Sequence, residues 1–203
     1  MPDRALEHVI PGAALTLESW AELPEDAEGE LVDGVLVEDE LTDFVHDAVV
    51  AFFIAYLRDW ARPRGGLVAA SDVKYAVTES RGRKADVSLY LPGAPRPPGR
   101  GPVDVPPSII VEVVSPRPRD ARRDRVEKFD EYATFGVHYY WIVDPQLRSL
   151  EIYERAADGR YARTTSATSG RIDAIPACPG LSLDLDALWQ EVDELETTAR
   201  DGT

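Results

Sequence analysis

Residues Ser108 to Asp144 read SIIVEVVSPRPRDARRDRVEKFDEYATFGVHYYWIVD, and this stretch decides the fold. It opens on Ile109, Ile110, Val111, Val113 and Val114, an apolar run of strand length. A run this apolar predicts a strand buried on both faces. Glu112 interrupts it. A carboxylate there is costly unless it is paired, hydrogen-bonded or bound to a cation. Ser115 and Pro116 end the strand. Asp120 to Tyr132 then reads as a helix with Val126, Phe129, Tyr132 and Ala133 on one face. Gly136 closes it, and Tyr139 to Val143 is the next strand. The unit is strand, helix, strand, so the class is α/β.

The rest of the composition narrows the setting. A chain of 203 residues fits one domain with a real core. No apolar run is long enough to span a membrane, and no basic-then-apolar leader pattern opens the chain. Cys178 is the one cysteine, which excludes an internal disulfide and predicts a reducing, cytoplasmic setting. The net charge of −15 argues against a nucleic-acid partner on its face. Its distribution argues less strongly: residues 58–128 hold 15 of the 22 basic residues and 9 of the 37 acidic ones. That asymmetry permits a basic face on an acidic protein, or simply a mixed solvated surface.

Working outward, residues 1–15 read as an N-terminal arm, 16–198 as the single domain and 199–203 as a tail. Thr16 caps a short helix through Leu23. Glu30-Leu31-Val32 and Val35-Leu36-Val37 flank Asp33-Gly34, a two-residue hairpin signal. Asp43 caps a long helix to about Ala61, with His46 in its first turn. Leu67 to Ala70 and Val73 to Val77 read as strands, Glu79 to Arg83 as a polar turn, and Ala85 to Leu91 as a strand. Pro92 to Pro107 holds seven prolines and reads as an exposed loop without regular structure. Beyond the central unit, Ser149 to Tyr153 is a strand, 155–180 short strands and turns, Leu181 to Leu185 an extended piece, and Asp186 to Thr197 a helix.

Asp86 and Glu112 carry the chemistry. Each lies within a strand pattern, where neighbours are apolar and solvent is scarce. If the two strands are neighbours, two carboxylates converge on one point. That donor set suits Mg²⁺, a hard cation held by one or two carboxylates plus water and phosphate oxygens. The alternative is that each acid faces solvent or pairs with an arginine. Arg117, Arg119, Arg122, Arg123 and Arg125 form a basic cluster just after Glu112. They can meet DNA phosphates, or neutralise Asp120, Asp124 and Glu127. Ser115 lacks the G-x-S-x-G frame of a nucleophile.

Several motifs in order resemble the Uma-type family of putative restriction endonucleases, within the PD-(D/E)xK nuclease superfamily. They are E-L-V-D-G at Glu30 to Gly34, His46 in the next helix, A-D-V-S at Ala85 to Ser88, and E-V-V-S-P at Glu112 to Pro116. D-R-V-E-K-F-D-E-Y at Asp124 to Tyr132, G-V-H-Y-Y-W-I-V-D-P at Gly136 to Pro145, and P-G-L-S-L-D-L at Pro179 to Leu185 follow. The resemblance spans about residues 16–190. It implies a restriction-endonuclease-like fold, a central mixed sheet flanked by helices. It also implies Mg²⁺-dependent hydrolysis of DNA, with Mn²⁺ able to substitute for Mg²⁺.

By the same resemblance Asp86 and Glu112 are the metal ligands, Glu30 and His46 lie beside the site, and Lys128 is the catalytic lysine. Two positions depart from the pattern: Ala85 stands where the family usually has proline, and Val114 where the superfamily name promises lysine. Lys128 lies four residues after Asp124 and four before Tyr132, so the three share a helix face. Lys84, two residues from Asp86, is the rival. His46 is either a site residue able to bind metal or shuttle a proton, or a polar first-turn residue on a helix surface. Cutting both strands of DNA needs two sites, which implies a homodimer. The competing expectation is a non-catalytic binding or regulatory protein that keeps the fold.

Overall fold

The structure is a computed structural model that describes residues 14–23, 29–37, 42–117 and 122–201, with side chains to 197. Of the expected arm only residues 14 and 15 are described, and Arg119 lies outside the described residues. In chain order the elements are α1 (Leu17–Ala21), β1 (Glu30–Val32), β2 (Val35–Val37), α2 (Phe44–Ala61), β3 (Leu67–Ala70), β4 (Lys74–Thr78), β5 (Arg81–Lys84) and β6 (Val87–Tyr90). They continue with β7 (Ile109–Val113), a π-helical turn (Arg123–Glu127), α3 (Lys128–Phe135), β8 (Tyr139–Asp144), β9 (Ser149–Arg155), β10 (Tyr161–Ala167), β11 (Arg171–Ile172), β12 (Leu183–Asp184) and α4 (Leu185–Asp201).

The central sheet has the order β10-β9-β8-β7-β6-β3. It is mixed: β7 and β8 run parallel, and every other neighbouring pair is antiparallel. A parallel pair needs a crossover, and α3 supplies it. Every residue of β7 and β8 is buried, as two covered faces require. Val111, Val113, Trp141 and Val143 point to one side, where they meet Val49, Phe53 and Leu57 of α2 and Leu188 and Val192 of α4. Ile110, Val114, Tyr140 and Ile142 point to the other, against Tyr75 and Val77 of β4 and Tyr132 of α3. Glu112 belongs to this second set by alternation.

The second side is closed by a four-stranded antiparallel sheet, β2-β1-β5-β4. Its hairpin turns at Asp33 and Gly34, both at positive φ (50° and 81°), the two-residue turn that the pair predicts. The stretch Glu79 to Arg83 is not a turn throughout: it turns at Glu79-Ser80, and Arg81 already lies in β5. Two arginines spaced by two are a strand pattern whose charges face a buried acid instead of water. Gly82 is required because the buried Trp20 ring lies where a Cβ would be, 2.2 Å from that position. The proline-rich loop also departs from expectation. Val103 is buried and pairs with β4, donating to Lys74 O and accepting from Ala76 N–H at 2.8 Å each.

In the crossover helix Val126 was expected on the apolar face but is 52% exposed. The π turn accounts for this: Lys128 N–H reaches back five residues to Arg123 O. The wider turn rotates Arg123 and Asp124 inward and Val126 outward. Gly136, at φ 105°, ends α3 as expected.

Candidate active site

The chain leaves β5 at Lys84, crosses between the two sheets at Ala85 and Asp86, and enters β6 at Val87. Val87 pairs with Val111 and Ser88 with Ile110, antiparallel. The strand expected from Ala85 begins at Val87, so Asp86 stands one residue before β6, outside that ladder. Asp86 Oδ2 accepts the Val113 N–H at 2.7 Å, which fixes it at the end of β7. The Asp86 side chain is 18% exposed and that of Glu112 2%, so solvent reaches the pair from the Asp86 side.

Helix α3 brings the remaining partners. Lys128 Nζ donates to Glu112 Oε2 at 3.0 Å and also lies 3.0 Å from Asp124 Oδ1. The Tyr132 hydroxyl donates to Glu112 Oε1 at 2.7 Å. Asp124, Lys128 and Tyr132 thus share the face that their spacing predicts. Their spacing groups the three on one face in the sequence, but it gives neither Tyr132 as a partner of Glu112 nor Asp124 as a partner of Lys128.

His46, in the first turn of α2, reaches Asp86 Oδ2 with Nε2 at 3.3 Å and Asp47 Oδ1 with Nδ1 at 3.3 Å. It is buried, not a surface residue. Glu30 is buried beside the same group. It accepts from Arg83 Nη1 at 2.7 Å and from the Lys84 backbone N–H at 3.0 Å. Arg83 is fully buried and also donates to Glu131 Oε2 through Nε at 2.6 Å. Arg81 bridges Glu131 and Asp33. The exposed basic turn that the sequence suggested at Arg81 to Arg83 is therefore the ionic seam between β5 and α3. Lys84 lies on β5, not on the Asp86 strand. Its ammonium is 3.7 Å from Asp72, and it lines a cleft of about 710 Å³ together with Lys74 and Arg100.

The basic cluster divides. Arg117 and Arg122 are exposed. Arg123 is buried, with Nη1 3.8 Å from Glu30. Arg125 is ion-paired to Asp144 and Glu151.

The charges at the centre do not balance evenly. Burial pushes the Glu112 carboxyl up, and the charges of Asp86 and Asp124 push the same way; Lys128 and Tyr132 oppose without prevailing, so it stands well above the usual range. Burial also pushes Asp86 up, but the hydrogen bond and charge of His46, the Lys128 charge and the Val113 N–H outweigh it, so Asp86 stands low. Burial lowers His46, yet Asp86 and Asp47 raise it to about 9. Burial raises Glu30, but Lys128, Arg83 and the Lys84 N–H hold it low. Glu112 thus lies in a buried surround that disfavours its charge, burial above all. Two hard oxygen donors in such a surround, open to solvent on the Asp86 side, fit a hydrated Mg²⁺. Among the described residues no three His, Cys, Asp or Glu side chains group as a metal site; a carboxylate pair completed by water and phosphate is the Mg²⁺ pattern, not that of structural zinc.

Compared with known proteins, residues 15–186 match the Uma2 family, described as "Putative restriction endonuclease". Among solved structures the chain is similar to a putative nuclease of DUF820 from Anabaena variabilis, at 16% identity and a TM-score of 0.68. That match covers 88% of this chain and 99% of the other, and it shows a shared fold. No curated protein matches.

Proposed function

Since the chain belongs to the Uma2 family of putative restriction endonucleases, we propose that it hydrolyses phosphodiester bonds in DNA with Mg²⁺ as cofactor. The observation that carries this reading is Asp86 fixed on the Val113 N–H, next in the chain to Glu112, with Lys128 Nζ 3.0 Å from Glu112. Asp86 and Glu112 would hold the cation. Mg²⁺, or Mn²⁺ in its place, would polarise the scissile phosphate and lower the pKa of an attacking water. Lys128 supplies a fixed positive charge where negative charge develops on the phosphate. His46 and the Val113 N–H orient Asp86, and Tyr132 orients Glu112. Glu30, braced by Arg83, completes the acidic surround.

Arg117 and Arg122, the exposed arginines among the described members of the cluster, would meet the phosphates. Arg123 and Arg125 would have to leave carboxylate partners to serve as such. Lys128 takes the catalytic role over Lys84, whose ammonium pairs with Asp72 instead. Cleavage of both strands calls for two copies, so the active form is a homodimer on DNA. The buried lone Cys178 suits a reducing, cytoplasmic setting. Among the described residues no helix is long and apolar enough to cross a membrane.

Isothermal titration with Mn²⁺ tests this reading. Binding by the wild type, lost in Asp86→Ala and in Glu112→Ala and accompanied by Mg²⁺-dependent plasmid cleavage, is the expected result. Equal binding by all three proteins sinks the site. One observation favours a non-catalytic binding protein instead: both Glu112 oxygens are already engaged, by Lys128 and Tyr132. DNA binding without Mn²⁺ binding or cleavage would select that reading.

A further inference from the structure

A buried carboxylate needs a partner, and Asp124 is fully buried. Its Oδ1 lies 3.0 Å from Lys128 Nζ. Lys128 is therefore clamped between two acids, Asp124 from its own helical segment and Glu112 from β7. The two acids are not equivalent. Glu112 is engaged on both oxygens and must loosen one of them to take a cation. Asp124 is carried by the helical segment that carries the lysine. Its own carbonyl accepts the Tyr140 hydroxyl at 3.0 Å, and the π turn sets it inward. An Asp–Lys pair at i,i+4 is worth little on a helix surface. Here both side chains are nearly free of solvent contact, at 1% and 4%.

We infer that Asp124 is the positioning residue for Lys128, holding its ammonium beside Glu112 while the Glu112 oxygens turn to a cation. The inference rests on the nuclease reading for its purpose, but not for its geometry. It excludes two other roles for Asp124: a third cation ligand, and a pair that merely stabilises the helix.

Lysine-selective ¹H–¹⁵N spectroscopy separates these roles, because the chain contains only Lys74, Lys84 and Lys128. The Lys128 ammonium, assigned by its absence in Lys128→Met, should give a slowly exchanging signal. That signal should persist in Glu112→Gln and under saturating Mg²⁺, and vanish in Asp124→Asn. If Asp124→Asn does not fold, Asp124→Glu must shift the signal while Glu112→Gln leaves it in place. In cleavage assays Asp124→Asn should lose kcat by about 10-fold or more, the scale for removing a group that orients another. Its KM for DNA and its Mn²⁺ affinity should stay within about 2-fold, because Asp124 acts through Lys128 and binds neither. The double variant with Lys128→Met should be no slower than Lys128→Met alone. A signal that survives in Asp124→Asn but vanishes in Glu112→Gln overturns the inference. So does loss of Mn²⁺ binding in Asp124→Asn, which would make Asp124 a ligand. A wild type that cleaves no DNA sinks the nuclease reading instead, and the spectra still decide which acid holds Lys128.

Discussion

One side of the central sheet buries Val49, Phe53 and Leu57 of α2 with Leu188 and Trp189 of α4; the other, under β5 and α3, buries Glu112, Lys128, Arg83 and Glu131 among tyrosines. The first side is held by area and shape, and apolar side chains of similar volume can replace one another there at modest cost. The second is held by pairing. Each buried charge needs its particular partner, and removing one partner strands the other. Arg83 without Glu30 and Glu131, or Lys128 without its acids, would be a buried ion in a poor solvent. The difference teaches where stability and chemistry reside: the apolar side carries the fold, and the ionic side holds most of the groups able to do chemistry, with His46 reaching Asp86 from the first turn of α2.

The sharpest way to break this division is to damage the apolar side. Phe53 is fully buried and packs edge-on against Trp141. Phe53→Ala should cost about 3–5 kcal/mol of stability, a fall in Tm of about 10 °C. The folded variant should bind Mn²⁺ as the wild type does. A melt by circular dichroism and a titration at low temperature read both quantities, and lost Mn²⁺ affinity in the folded variant would mean that the sides are not separable.

Lys128→Ala tests the other side. Cleavage should fall by about 10² or more, the scale for one preorganised charge-stabilising group. Mn²⁺ affinity should hold or rise, because an ammonium competing for Glu112 is gone. Full activity in this variant would remove lysine from the mechanism.

The smallest expected effect has the opposite sign. The Glu112 carboxyl stands well above its usual range because burial, Asp86 and Asp124 disfavour its charge. A raised carboxyl destabilises the fold increasingly as pH climbs from the unfolded value, near 4.5, toward the folded one. In the presence of chelator Glu112→Gln should therefore melt higher than the wild type at neutral pH, by about 2–4 °C per kcal/mol relieved, and not at pH 4. Its cleavage should nevertheless be lost, the pattern of a site that holds function at the expense of stability. A lower Tm at neutral pH would show that the pairing with Lys128 and Tyr132 outweighs the repulsion.

Much of this was legible in the chain itself. The strand–helix–strand unit, the Asp33-Gly34 hairpin, the caps at Thr16 and Asp43 and the stop at Gly136 follow from local chemistry, because each depends on residues a few positions apart. The candidate pair Asp86 and Glu112 stood out for the same reason, as acids inside apolar runs. What required the tertiary structure was the partner of each charge. Arg83 reads as part of an exposed turn until β5 pairs with β1 and turns it toward Glu131, 48 residues away. Val126 reads as apolar core until the π turn rotates it out. Asp86 meets the end of β7 only because β6 pairs with that strand, and Asp124 reads as an acid the arginines can neutralise until α3 is laid across that sheet. Sequence periodicity reports which face a residue is on; which charge lies opposite depends on strand register and helix placement, and those are set by contacts between segments distant in the chain.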